Sequence, residues 1–299
     1  MSEQQPKVKH GKNFLFSFII PTFNRPFALN RALRSIAEQK EQEEKIEIIV
    51  VNDGGTDIYN DIITKYTDQI PIIYRYQKNQ GPARARNNGA RLSHGKYLVF
   101  LDDDCSLSSD WVKFAKNRIR PDRLIGGKTV NCIPENIYAQ ASQDLIDYLY
   151  TYYNREYQNS EFVTSNNMII PKAMFKALNG FDTDFTDAAA EDRDFCDRVK
   201  YAGYEIYYAP DIIICHWHQM NFIHFFTQHF KYGFRAKLFH EKRSLWNDTQ
   251  FKVEPPSFYV HLIFFPFKNH SFLLALRISF LLGITQIANT IGFLRAKVY

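Results

Sequence analysis

The stretch Tyr97-Leu98-Val99-Phe100-Leu101-Asp102-Asp103-Asp104 decides the fold. Five apolar residues in a row read as a strand buried on both faces. Three acids at its end are a poor way to build a core. They are a good way to hold a divalent cation, because open α/β sheets bind ligands beyond the carboxyl ends of their strands. A hard cation such as Mg²⁺ takes few carboxylates and completes its shell with water and substrate phosphates. The triplet points to an enzyme that handles a nucleotide phosphate; the plainer alternative is an acidic turn, where Asp is common.

Upstream, Phe14 to Ile20, Ile46 to Val51 and Ile72 to Tyr76 are further apolar strands. Helical stretches separate them: Arg25 to Gln42 with Ala28, Leu29, Ala32, Leu33 and Ile36 at helical spacing, a helix after Asp53 through about Tyr66, and Gly81 to Leu92. Alternation with helix-length connections implies right-handed βαβ units and a mostly parallel sheet. No G-x-G-x-x-G follows the first strand, so the usual dinucleotide fingerprint is absent. Downstream, the expectations are a Tyr-rich helix over Ile137 to Tyr157, a strand over Phe162 to Ile170, a short helix over Lys172 to Leu178, a helix over Asp192 to Ala202, and two short strands, Ile206 to Ala209 and Ile212 to Cys215.

The 299 residues allow one large α/β domain with an appendage. A net charge of +5, without a basic stripe or zinc-finger spacing, gives no reason to expect nucleic acid as a partner. The four cysteines, Cys105, Cys132, Cys196 and Cys215, form no C-x-x-C pair and read as free thiols in a cytosolic protein. Met1 to Asn13 is polar and reads as a flexible tail.

The C-terminal part differs in character. Phe222 to Lys242 is helical, aromatic and basic; Phe258 to Phe267 and Ser271 to Leu294 are apolar. From Pro255 to Tyr299 there is no Asp or Glu, whereas Lys268, Arg277, Arg295 and Lys297 are basic. Ser271 to Leu294 is long enough to span a bilayer, but Arg277, Gln286 and Asn289 would be costly at its centre. The expectation is a segment lying on an anionic membrane surface; the alternative is an apolar helical pair packed on the catalytic domain or in a dimer.

Seven segments, in order, resemble the family-2 glycosyltransferases of the GT-A fold: Ile19 to Arg25 (IIPTFNR), Val50 to Asp57 (VVNDGGTD), Gly81 to Ala90 (GPARARNNGA), Phe100 to Asp104 (FLDDD), Asn166 to Ile170 (NNMII), Gly180 to Asp182 (GFD) and Glu191 to Arg198 (EDRDFCDR). The resemblance covers about Phe16 to His218. It implies a GT-A domain over residues 14–240, with an apolar, basic helical extension over 241–299. One departure is Asn52, where the family often has an acid. Gln228-x-x-Lys231-Tyr232 faintly resembles the Q-x-x-R-W motif of processive synthases, but Lys and Tyr replace its Arg and Trp.

By resemblance, Asp104 ligates Mn²⁺ or Mg²⁺, with Asp102 beside the ribose or the metal's water shell and His216 as a further ligand; an imidazole suits Mn²⁺. The donor is a nucleotide sugar, UDP-linked first, bound by Pro21, Thr22, Asn24, Asp53, Gly81, Arg86, Asp102 and Asp103. Asn167 and Asp182 line the sugar and acceptor. Of Glu191 and Asp192, Asp192 is the expected general base, its pKa raised by neighbouring acids and partial desolvation. The implied reaction is metal-dependent, inverting transfer to a hydroxyl of a glycan or lipid-linked acceptor, in surface polysaccharide or glycolipid synthesis. The implied location is cytoplasmic, peripheral at the inner face of the plasma membrane. Two rivals stay open: a catalytically silent nucleotide-sugar-binding scaffold, and a nucleotidyltransferase.

Overall fold

The computed structural model describes residues 13–39, 46–56, 59–245 and 253–296. Asp57, Lys297 and all but the last residue of the expected tail lie outside these. The first half alternates as the sequence implies: β1 (Phe16–Thr22), α1 (Pro26–Ala37), β2 (Ile46–Asp53), α2 (Asn60–Thr64), β3 (Ile72–Gln77), α3 (Pro82–Leu92) and β4 (Tyr97–Leu101). These four strands are mutually parallel, with β1 between β2 and β4. Every residue of β2 and β4 is buried, because helices cover both faces. α1 starts with Pro26 at its first turn, where no donor is lost, and buries Leu29, Ala32, Leu33 and Ile36 along one stripe.

The second half contains β5 (Cys105–Leu107), α4 (Trp111–Arg118), β6 (Arg123–Asn131), α5 (Ile137–Tyr153), β7 (Asn167–Pro171), α6 (Lys172–Ala177), α7 (Glu191–Tyr201), β8 (Glu205–His216), α8 (Phe222–Ser244), α9 (Pro256–Phe264) and α10 (Phe272–Arg295). One eight-stranded sheet runs β3-β2-β1-β4-β7-β6-β8-β5. β7 is antiparallel to both β4 and β6, and β5 is antiparallel to β8, so this is a mixed GT-A-like sheet whose parallel part is its first half.

Several expectations change in detail. The two short strands after Tyr204 are one strand, β8, in which Pro210, Asp211 and Ile212 bulge opposite the Gly127–Lys128 step of β6. The strand expected from Phe162 begins at Asn167. The four free thiols are corrected: Cys132 and Cys215 are disulfide-bonded, their Cα atoms 5.6 Å apart, and only Cys105 and Cys196 are free, both buried. Parallel pairing of β6 with β8 places Val130 opposite Cys215, which brings residues 83 apart in sequence to the same sheet edge. Disulfides persist in oxidising compartments, so the cytosolic expectation loses the support it took from free thiols.

α8 runs across residue 240 and is the element against which α10 packs. Their backbones approach closely at two glycines. A Cβ on Gly233 would lie 1.9 Å from the Asn289 carbonyl oxygen, and one on Gly292 2.1 Å from that of Phe230. Phe225, Phe258, Leu262, Phe265, Ile278 and Leu282 join Tyr148 of α5 in a separate apolar cluster beneath these helices.

Candidate active site

The carboxyl ends of β1, β2 and β4 and the end of β8 meet along one sheet edge. A cavity of about 1350 Å³ opens there, walled by the loops after these strands, the start of α7, and α8.

Asp102, Asp103 and Asp104 leave β4 in a turn closed by a hydrogen bond from the Cys105 amide to the Asp102 carbonyl. Asp104 is nearly buried and sits 3.3 Å from His216 Nε2; His216 is brought there by antiparallel pairing with Cys105. Burial would raise the Asp104 pKa. The hydrogen bond and charge of His216, with Arg25, outweigh it and hold the carboxyl well below the usual carboxylate range. His216 is pushed up in turn: burial works against its charge, and Asp104 overcomes it. Side-chain ligand atoms of Asp104, Cys105 and His216 lie within 4.8 Å of one another. A thiolate suits softer metals than Mn²⁺ or Mg²⁺, and burial pushes the Cys105 thiol well up. The remaining carboxylate and imidazole are the donor types that suit Mn²⁺.

Asp103 turns toward β1, accepting from Thr22 Oγ1 at 2.7 Å and from Arg25 at 3.2 Å. Burial raises its pKa to about 7. Its bonds are those of a brace between β1 and the acidic turn. Arg25, which the expected site omits, also donates to Asp104 at 2.7 Å. Its position as the last residue of the first motif was the available signal.

Beside the acidic turn Arg86 is almost wholly buried. It donates to Asp102 at 2.7 Å and to Glu191 at 2.9 Å, and its guanidinium stands over the Phe181 ring. Burial opposes its charge, but Asp102 and Glu191 more than compensate and raise its pKa. Glu191 is buried, and burial, then Asp192, raise its pKa to about 7 despite Arg86. Asp192 makes no ion pair with Arg86. It accepts backbone amides from Arg193 at 2.8 Å and Ser165 at 3.4 Å, and its carboxylate lines the cavity. The dense protein around it raises its pKa.

The expected donor loops divide. Pro21, Thr22, Asp53 and Gly81 line the cavity. The Asp53 carboxylate, however, is taken up by Gln77 at 2.7 Å and the amides of Gln80 and Gly81 at 2.9 Å, so it fixes the loop into α3. Gly81, at φ +88°, has the Thr186 carbonyl where a Cβ would stand: the close approach is to the loop before α7. Asn24 turns out of the cavity, accepting from the Thr56 amide at 2.9 Å.

Two expected sugar contacts are placed elsewhere. Asn167 is fully buried and bonded to Trp111 at 3.0 Å and to the carbonyls of Lys128 and Ile212. The chain direction reverses its neighbour, so Asn166 and Ser165 line the cavity instead. Asp182 lies outside the cavity lining, ion-paired with Lys242 of α8 at 2.7 Å.

α8 brings the Gln228-x-x-Lys231-Tyr232 segment, which the expected site omits, to the cavity. Gln228, Lys231 and Tyr232 line the cavity, with Gln228 hydrogen-bonded to Tyr232. Lys231 and Arg235 grip Asp187 at 3.0 and 2.7 Å, and Arg235 also holds Thr186, so α8 clamps the loop that leads to Glu191 and Asp192. His218 stands beside His216, neutral because burial pushes its pKa down to about 4.

The sequence model described as glycosyl transferase family 2 matches residues 17–178, and that of the N-terminal domain of galactosyltransferase matches residues 148–224. A validoxylamine A glucosyltransferase from Streptomyces hygroscopicus subsp. limoneus is 29% identical over 219 residues, covering 63% of this chain and 48% of that protein. The chain thus spans about half the length of the first curated relatives it matches. Among solved structures, a mannosyltransferase from Pyrobaculum calidifontis in complex with GDP-mannose and Mn²⁺ superposes with a TM-score of 0.63 at 15% identity, over 96% of this chain and 90% of that one. Residues 1–349 of S. aureus TarS in complex with UDP-GlcNAc superpose with a TM-score of 0.56 at 18% identity, over 94% and 89%. At these identities the superpositions establish the fold.

Proposed function

The chain belongs to glycosyl transferase family 2, and from that premise we propose that it transfers a sugar, with inversion, from a UDP-sugar to a hydroxyl of a glycan or lipid-linked acceptor, with a divalent metal. The observation that carries the reading is that Asp104, His216 and Asp192 all line one cavity, with Arg86 joining the acidic turn at Asp102 to Glu191 beside Asp192.

Asp104 and His216 would hold Mn²⁺ or Mg²⁺, with Asp102 beside them. Such an ion supplies Lewis-acid stabilisation of the leaving diphosphate. Asp192 accepts the proton of the acceptor hydroxyl as its oxygen attacks the anomeric carbon. The bond to the diphosphate oxygen breaks on the opposite face, and the electron pair leaves with the nucleotide. Asp192 suits this role better than Glu191, because Arg86 bonds Glu191 directly, whereas the hydrogen bonds of Asp192 come from backbone amides. Its raised pKa makes it a stronger base than an ordinary carboxylate. Arg86 fixes Asp102 and Glu191 relative to each other. Pro21, Thr22 and Gly81 line the nucleoside end, with Asp53 shaping it through the loop into α3. The UDP donor draws support from the UDP-GlcNAc complex of the TarS neighbour, and the metal from the Mn²⁺ complex of the mannosyltransferase.

Calorimetric titration of UDP, GDP, dTDP and CDP with Mn²⁺ tests this. UDP should bind at least about tenfold more tightly than the others, a difference of about 1.4 kcal/mol, and Asp104→Ala should abolish binding. Nucleotide binding without transfer or slow donor hydrolysis would favour a silent scaffold. Pyrophosphate release from a nucleoside triphosphate would identify a nucleotidyltransferase.

A further inference from the structure

α10 is apolar on its inner face and, apart from Arg277 and Thr290, along most of its outer one, yet lies on the molecular surface. Its inner stripe, Ala275, Ile278, Leu282, Thr285 and Ala288, is buried against α8 and the helices beside it. Its outer stripe repeats every seventh residue: Leu273, Phe280, Ile287 and Leu294 are 69, 71, 57 and 75% exposed. Leu276 and Ile291 flank this stripe, and Val260 and Phe264 of α9 with Phe272 extend it. A surface helix of a protein that stays in water carries polar residues on its outer face. A contiguous apolar patch of this kind marks an interaction site.

The charges around the patch select the partner. Lys268, Arg277 and Arg295 are exposed at its margins, and residues 255–299 contain no acid. A second copy of this surface would bring like charges together. An anionic bilayer would be complementary in both charge and polarity. Beside Arg277, an apolar groove of about 640 Å³ lies between Ile137, Tyr138, Ile263, Leu276 and Phe280, open to the same side. Although α10 is the one helix among the described residues long and apolar enough to cross a membrane, its contacts with α8 at Gly233 and Gly292 hold it flat against the domain. It therefore meets lipid along one side only.

The patch also reaches the active-site cavity. Tyr259 and Leu294 belong to the exposed face and line the same cavity as Asp192. We propose that the outer faces of α9 and α10 dock in the plane of an anionic membrane surface, so that the cavity mouth at Tyr259 and Leu294 opens at the lipid boundary. Docking belongs to this surface whatever nucleotide the cavity takes.

Co-sedimentation of the full chain with phosphatidylcholine vesicles, with and without phosphatidylglycerol, tests the proposal. Binding should rise about tenfold or more with phosphatidylglycerol and fall at high salt. Phe280→Glu/Ile287→Glu, both on the exposed stripe, should lose binding while keeping the thermal unfolding midpoint; Arg277→Glu should weaken binding to anionic vesicles alone. Three results would overturn it: no vesicle binding by wild type, equal binding to neutral and anionic vesicles, or a wild-type dimer that the double substitution splits while vesicle binding is unchanged. UDP titration of the same samples separates failure of docking from failure of the donor site.

Discussion

Arg86 and Glu191 are 105 residues apart in sequence, yet Nη1 of one lies 2.9 Å from Oε1 of the other, with both side chains buried. The pair ties α3, which follows the donor loop, to the first residue of α7, which carries the base. Removing one partner of a buried ion pair strands the other, at a typical cost of about 3–5 kcal/mol. Arg86→Met strands Glu191 and should lower unfolding free energy by about that amount in urea titrations, whereas Glu191→Leu leaves Arg86 paired with Asp102 and should cost less. Arg86→Met/Glu191→Leu should recover part of it, since neither charge is then stranded, although Asp102 loses its partner too. Simple additivity in this cycle would show that the two residues do not couple.

Asp192→Asn should cut kcat by about 10²–10⁴-fold, the usual range for a lost general base, and leave UDP affinity unchanged. The wild-type pH profile carries the same information. Asp192 must be ionised to take a proton, so kcat rises as pH climbs through its pKa. Because burial raises that pKa, the acid limb should lie above the range of an exposed aspartate. An unchanged acid limb in Asp192→Asn would assign the limb to another group.

Arg235 holds Asp187 and Thr186 from α8, and the Thr186 carbonyl packs on Gly81. With Lys231, which also grips Asp187, Arg235 thus fixes the loop that leads to the base. Arg235→Ala should reduce kcat/KM by about tenfold or more, because misplacement of about 1 Å near reacting groups is costly. Arg235→Lys should recover part of it, and the unfolding midpoint should barely move. Equal losses in stability and activity would reduce the contact to a structural one.

The sequence made the first half of the sheet readable because continuous Ile, Val and Phe runs separated by helical periods have few other foldings. The acidic turn stood out because it follows directly from the end of a strongly patterned strand, whereas Arg86 and Asp192 were singled out only by the resemblance of their segments to the family's motifs. The places of Asn167 and Asp182 were not legible, because pleat parity and long-range ion pairs decide where such side chains point. Asn167 faces Trp111 while Asn166 takes the cavity side, and Asp182 meets Lys242 from 60 residues downstream. The Cys132–Cys215 bond was hidden likewise, since the β6–β8 pairing that creates it is non-local. The clamp on Asp187 needed the path of α8, whose amphipathic pattern gave a helix but not what it crosses.

His229 supplies a separate test through stability. Its ring is buried in α8 beside Phe225 and Tyr232, with Ser142 Oγ 3.3 Å from Nε2 and no partner on Nδ1. Burial alone pushes its pKa from 6.5 down to about 4, so the folded protein keeps it neutral. The unfolded chain takes up a proton near pH 6.5, and the folded protein resists until about pH 4. Stability from this group is therefore complete above about pH 6.5 and drains away as pH falls toward 4, by about 3 kcal/mol in all. His229→Leu removes the titrating group and keeps the site apolar. Urea unfolding at neutral and acidic pH should show a shallower loss of stability in the variant than in wild type by that order. Parallel pH dependences would mean that His229 is protonated or solvated in the native state, and that the junction of α5 and α8 is less tightly closed than its packing implies.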